Sequence, residues 1–210
     1  AEINRINDFL DKYPNLHPNM SIDTYKPKVA EIALSNGFKI INDIYGGGKK
    51  GEMIEVACAF NVPLVIMHMQ GNPQTMQDRP LYDNIIDELL YYFENRIKLC
   101  NDIGLNNDQI IIDPGIGFGK SIEDNDRILV NLNKFKIFNV PILIGLSRKS
   151  FLKLDNDIAE DRLSRSLGAS ILAVNNGADI IRTHDIDDTY SMFNILARIN
   201  KIDIENMERV

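Results

Sequence analysis

Six short apolar runs in this chain each end in a polar or charged cluster, and the clusters hold residue types that recognise heterocycles and anions. They are Ser21-Ile22-Asp23-Thr24, Ile41-Asn42-Asp43, Met67-His68-Met69, Ile112-Asp113-Pro114-Gly115, Leu146-Ser147-Arg148-Lys149 and Ile181-Arg182-Thr183-His184. Asp23 and Asn42 pair a carboxylate with a carboxamide, a combination suited to a ring with alternating donors and acceptors. Either residue could equally cap a helix or close a turn. Asp113 opens the stretch Asp113-Pro114-Gly115-Ile116-Gly117-Phe118-Gly119-Lys120, whose glycines let backbone approach a ligand closely. A plain glycine-rich turn capped by Asp113 is the competing reading. The Gly-Lys-Ser register resembles a phosphate loop, but the preceding glycine spacing does not fit one. Arg148 and Lys149, directly after an apolar run, need water or an anion. Arg can pair with a carboxylate or stack on a ring, and Lys supplies a point charge; a solvated basic loop is the alternative. Arg182 and His184 alternate with Thr183, so both project to one side of an extended chain and can hold a phosphate or carboxylate. His184 held by the adjacent Asp185 is the other possibility. Met67, His68 and Met69 read as core or pocket wall, and His68 has no companions at a metal spacing.

These clusters need a frame that brings them together. Apolar spacing predicts helices over 2–13, 26–36, 51–60, 82–103, 121–134, 160–176 and 187–200, with a polar tail after Lys201 expected to fray. Strands are predicted over 20–23, 38–44, 63–69, 109–113, 141–146 and 178–183. Pro14 and Pro18 end the first helix, Gly37 stops the second, and residues 70–79 form an irregular segment. Strand and helix alternate without hairpins, which requires a parallel sheet with right-handed crossovers. Ile110-Ile111-Ile112 and Ile142-Leu143-Ile144 are apolar on both faces, as strands covered on both sides are. Six strands could form an open doubly wound sheet. The alternative is an α/β (β/α)8 TIM barrel that is incomplete here, with six of eight strands. Such barrels typically take about 250 residues, and two missing β/α units account for roughly 60. The opening helix has no strand before it, which points to loss at the N-terminal side. In a barrel the strand ends converge on one face, and all six clusters would meet there.

The 210 residues suit one domain, and 44% hydrophobic content is enough for a core. A net charge of −7 speaks against nucleic-acid or anionic-membrane partners. No apolar run reaches the length of a membrane helix, and the N-terminal stretch lacks a signal pattern. Cys58 and Cys100 lack metal spacing and read as small buried hydrophobes in a reducing, cytoplasmic setting.

At these clusters the chain resembles the dihydropteroate synthase family of folate biosynthesis. The matching stretches are SIDTYKPKVAE, IINDIYGG, VPLVIMHMQGNPQTMQ, IIIDPGIGFGKS, PILIGLSRKSF and GADIIRTHD, in family order over nearly all of residues 20–190. The resemblance implies a transferase on a (β/α)8 barrel. It would join 6-hydroxymethyl-7,8-dihydropterin diphosphate to p-aminobenzoate with release of diphosphate. It matches Asp23, Asn42, Asp113 and Lys149 to the pterin, with Met67 and Phe118 as pocket walls. Asp23, Asp113 and Lys149 carry the catalytic roles by the same matching. Ser147 and Arg148 match the aminobenzoate side, and Arg182 and His184 the diphosphate. It further implies Mg2+, sulfonamides as inhibitors and a homodimer joined through the helices at 160–176 and 187–200. Segments resembling the family's first two strands and loops are absent, so no residue here is assigned to metal. The expectation is a pterin-binding barrel domain over 1–210, truncated at its N-terminal side, with two open edges and part of its core exposed. Such a chain alone is expected to be less stable and less active than a complete enzyme. A pterin-dependent methyltransferase and a non-catalytic pterin-binding module are the alternatives.

Overall fold

The computed structural model describes residues 2–13, 19–71, 76, 80–154 and 157–207, the last seven by backbone alone. The predicted break at Pro14 and Pro18, and most of the irregular segment 70–79, lie outside the described residues. Helix α1 (Glu2–Lys12) is followed by β1 (Ser21–Asp23), α2 (Pro27–Ser35), β2 (Ile40–Asp43), α3 (Glu52–Phe60), β3 (Leu64–Met67) and α4 (Ile85–Ile103). Then come β4 (Ile110–Asp113), α5 (Ile122–Val130), β5 (Leu143–Gly145), α6 (Leu163–Asn175), β6 (Ile180–Arg182) and α7 (Ile186–Met207).

Local chemistry fixes several boundaries. Pro27 sits in the first turn of α2, where its missing N–H costs nothing. The Asn84 side chain accepts from the N–H groups of Ile86 and Asp87, which starts α4 three residues later than the apolar spacing predicts. Ser121 and Asp124 form a reciprocal capping box on α5. That helix stops at Val130, and a 3-10 turn over Leu132–Phe138 continues the apolar face. The predicted helix 160–176 likewise divides into a 3-10 turn, Ala159–Arg162, and α6. The closing helix runs on to Met207, through the segment expected to fray.

All strand pairings are parallel. β1 to β4 form one sheet in sequence order, β5 and β6 form a second pair, and a bridge between Ile112 and Ile142 joins the two. A doubly wound sheet reverses strand order at a switch point. Among the described residues there is no reversal, and each helix packs on the next in sequence order, so the sheet is an incomplete barrel.

Alternation within the strands divides the core into two layers. Ile41, Leu64, Ile66, Ile110, Ile112, Ile142 and Ile144 belong to the cluster packed under the helices and are all 0% exposed. On the opposite, inner face, Ile40, Ile111 and Ile180 are only half-buried. β3, covered and paired on both sides, is buried throughout, whereas the terminal strands β1 and β6 are partly exposed. Val65 and Leu143, the register partners of Ile111 and Ile180, are buried, so the inner face is covered at its centre, and it is the terminal strands that are open among the described residues. The outer layer carries the packing. Phe93 on α4 is fully buried, with ring centroids 5.2 Å from Tyr92, 6.0 Å from Phe135 and 6.4 Å from Phe138.

Phe93→Ala removes the ring that links α4 to the turn before β5. It should cost about 3–5 kcal/mol, as large buried aromatic truncations do. A urea-unfolding midpoint close to that of the parent would show that this layer does not hold the barrel together.

Candidate active site

Strand register explains why distant residues meet. Paired residues of parallel strands share a face. Asp23 is opposite Asn42, Met67 is opposite Asp113, and Gly145 is opposite Arg182, all at the C-terminal ends. They open into one cleft lined by Asp23, Asn42, Ile44, Met67, Asp113, Ile116, Phe118, Gly145, Ser147, Lys149, Arg182 and His184. Nine of the ten residues singled out in the sequence line it. The tenth, Arg148, turns away, with its guanidinium on Asp185 and, at 3.6 Å, on Glu160.

The cleft has a buried floor and an exposed rim. Asp113 is 9% exposed, and its carboxylate accepts from the Gly115 N–H at 2.7 Å. The competing cap reading is thus true as well, because one oxygen organises the turn while the residue lines the cleft. Burial pushes the Asp113 carboxyl above its ordinary range, opposed by that hydrogen bond and by Lys149, Lys120 and Arg182. Burial pulls Lys149 down, and Asp113 opposes this. The Lys149 ammonium lies 4.2 Å from the centre of the Phe118 ring, a cation–π contact that fixes both against the cleft wall. At the rim, Arg182 reaches from β6 to Asp23 on β1 at 3.3 Å, both side chains more than half exposed. This ion pair spans the open side of the barrel. At such exposure it contributes little stability, and its partners can exchange for a ligand.

Other residues hold this arrangement without entering the cleft. Asp43 alternates with Asn42 and so faces the other way. Fully buried, it accepts from the N–H groups of Tyr45 and Gly47. Arg96 on α4 donates to the carbonyls of Gly46 and Gly48, which pins the glycine loop after β2. The turn after β4 lies directly on the end of β3. A Cβ at Gly115, where φ is +71°, would come 1.9 Å from the His68 carbonyl oxygen. Lys120 closes this contact by donating to the carbonyls of Phe118 and His68, with His68 Nδ1 at 3.1 Å. Burial draws Lys120 down to about 7, and burial together with Lys120 draws His68 down to about 3. His68 is therefore a neutral packing partner. Cys100 is buried and Cys58 half-buried, and neither is in a disulfide.

Sequence reading missed Ile44 and Ile116 as cleft walls, and Asp43 and Arg96 as supports; Asp185 it placed beside His184 but not on Arg148. Ile44 was accessible from alternation, being two residues beyond Asn42. Arg96 carries no local signal, because its partners lie 48 and 50 residues away.

Residues 1–184 match the family described as pterin binding enzyme. The dihydropteroate synthase of Escherichia coli K12 is 40% identical over 178 residues, which are 84% of this chain and 63% of that protein. The chain thus spans somewhat under two thirds of that relative's length. The Yersinia pestis dihydropteroate synthase, solved in complex with a sulfonamide drug, superposes with a TM-score of 0.88 at 31% identity, covering 95% of this chain and 73% of that one. The Xanthomonas albilineans enzyme in complex with 7,8-dihydropteroate gives a TM-score of 0.80 at 32% identity, covering 87% and 67%.

The unfolded chain takes up a proton on His68 near its ordinary value of 6.5, whereas the folded chain resists until about 3. The folded state therefore loses stability as pH falls through that window. Urea midpoints between pH 7 and 3.5 should fall less steeply for His68→Gln than for the parent; parallel curves would mean that His68 charges freely in the fold.

Proposed function

This chain belongs to the pterin binding enzyme family, and from that premise we propose that it carries the pterin-binding core of a dihydropteroate synthase. The reaction would join 6-hydroxymethyl-7,8-dihydropterin diphosphate to p-aminobenzoate and release diphosphate. The observation that carries this reading is the division of the cleft into a buried carboxylate floor and an exposed cationic rim. Asp113 and Asn42 offer the acceptor and amide pattern that a pterin edge needs, with Met67 and Phe118 as walls and Lys149 beside them. The diphosphate would lie outward on Arg182 and His184, displacing Asp23 from Arg182.

The residues then match the charges that develop. As the carbon–oxygen bond to diphosphate breaks, positive charge spreads from the pterin methylene into the ring. Asp113 and Asp23 stabilise it, while Arg182 and His184 stabilise the departing anion. The aniline nitrogen of p-aminobenzoate then bonds to the methylene and sheds a proton. It is a weak nucleophile, so orientation matters more than activation, and no strong general base is assigned. We keep Ser147 and Arg148 on the aminobenzoate side; the substrate carboxylate would compete with Asp185 for Arg148. A methyl-transferring pterin enzyme has no need of the cationic rim.

Magnesium enters this reading through the diphosphate, whose oxygens suit that ion. Among the described residues no group of three or more His, Cys, Asp or Glu side chains could hold a metal. These residues do not form its site by themselves. We also read 1–210 as one domain, in a cytoplasmic protein, a setting that suits the two unpaired cysteines. Sulfonamides, seen on the Yersinia pestis enzyme, are proposed as inhibitors here. Homodimer formation through α6 and α7 is supported by exposed Leu172, Val174, Ile186, Tyr190, Ile195 and Ile199.

Titration calorimetry with a 6-hydroxymethylpterin diphosphate analogue tests the assignment. Asp113→Asn keeps an acceptor for Gly115 but loses the charge, and should weaken binding tenfold or more, given about 1.5–3 kcal/mol for a charge-assisted hydrogen bond. Undiminished binding by the variant would remove Asp113 from the pterin site. With 6-hydroxymethyl-7,8-dihydropterin diphosphate itself and p-aminobenzoate, diphosphate release marks the synthase; binding without release would mark a pterin-binding module instead.

A further inference from the structure

Beside the cleft, a hydrogen-bond network joins the loop after β5 to the loop after β6. The Asp185 carboxylate, its side chain 12% exposed, is bound by Arg148 through both Nη2 and Nε, the latter at 3.3 Å. The same carboxylate lies 3.1 Å from Ser147 Oγ. Ser147, 8% exposed, also has the His184 backbone N–H at 3.2 Å and the His184 ring Nδ1 at 3.1 Å. The network is anchored from behind. Ser166 accepts the Arg148 N–H and Arg162 binds the Arg148 carbonyl, which holds Arg148 at φ +61°. Thr189 bonds the Asp185 carbonyl through both its N–H and its hydroxyl.

Proton counting decides how the network is wired. The Arg148 guanidinium holds the Asp185 carboxyl below its usual range, so it is ionised and can only accept. A serine hydroxyl has one proton, and here that proton belongs to Asp185. Ser147 Oγ must then accept from its remaining partners. It accepts from the His184 backbone N–H, and its contact with Nδ1 is a hydrogen bond only if Nδ1 carries the hydrogen. The reverse wiring, Ser147 donating to Nδ1, would set a carboxylate oxygen against serine lone pairs at 3.1 Å.

We propose that Asp185 is a positioning residue that acts through Ser147 to fix His184 as its Nδ1–H tautomer and leave Nε2 to serve the cleft. A neutral histidine ring in water favours the opposite, Nε2–H form, so the network imposes a choice the side chain would not make alone. The consequence for chemistry rests on the reading of Arg182 and His184 as the diphosphate site. There Nε2 would meet a phosphate oxygen, either taking the proton of a protonated phosphate or, once protonated, donating to it. The assignment also gives Ser147 a task that does not require it to touch p-aminobenzoate.

The test is 15N NMR of the histidine rings in the intact chain, at a pH where they are neutral. The sequence has three histidines, and His184→Gln identifies the signals of position 184. The parent should show Nδ1 as the protonated nitrogen of His184. Ser147→Ala removes the acceptor, and Asp185→Ala returns the serine proton to Nδ1; in each variant the signals should revert to the Nε2–H pattern. An Nε2–H pattern in the parent overturns the proposal, and that measurement needs no variant to fold. Retention of Nδ1–H in a folded Asp185→Ala chain also overturns it. Addition of inorganic diphosphate separates the two readings. A shift confined to Nε2 supports both, whereas the Nδ1–H pattern with no response to diphosphate leaves the tautomer lock standing and removes the diphosphate role.

Discussion

The buried carboxylate of Asp113 is the constraint around which the strand-end face is organised. A charge at 9% exposure is costly unless hydrogen bonds and opposite charge compensate it. The compensation comes from four residues at three places in the sequence. The turn after β4 supplies the Gly115 N–H and Lys120, the loop after β5 supplies Lys149, and β6 supplies Arg182. A cleft that concentrates cations around one carboxylate also offers them to a ligand that brings its own negative charge.

That arrangement demands close backbone contact. The turn from Gly115 to Lys120 lies so near the end of β3 that a side chain at Gly115 would strike the His68 carbonyl. Lys120 then closes the seam from inside, and burial of His68, with Lys120 beside it, disfavours a proton on that ring. His68 and Lys120 thus hold the seam, and neither lines the cleft. The rim follows a different rule. Asp23, Arg182 and His184 are exposed and exchangeable, as suits groups that would trade protein partners for ligand.

The sequence by itself determined a parallel α/β sheet and most of the cleft-lining residues, while strand order decided for the barrel. Strictly alternating strands and helices without hairpins allow a parallel sheet, and polar residues at strand ends serve little purpose in a barrel unless they meet. Asp23, Asn42, Met67, Asp113, Ser147, Lys149, Arg182 and His184 were legible for that reason, and Phe118 only through the family resemblance. Their environment is set by position along a strand, and strand position is a local property. Register pairing then made neighbours of Asp23 and Asn42, and of Met67 and Asp113.

Only the tertiary structure decided what each polar group is bonded to. Asn42 and Asp43 are adjacent in sequence, yet one lines the cleft and the other is sealed under a glycine loop by hydrogen bonds. Arg148 and Lys149 read alike as a basic pair, but a left-handed backbone at Arg148 sends it to Asp185 while Lys149 turns to Phe118. Asp185, taken from sequence as a neighbour for His184, reaches that ring only through Ser147, 38 residues away. Hydrogen-bond partnership depends on distances of a few tenths of an ångström between segments far apart in the chain. Neither composition nor periodicity carries that information, and the packed fold does.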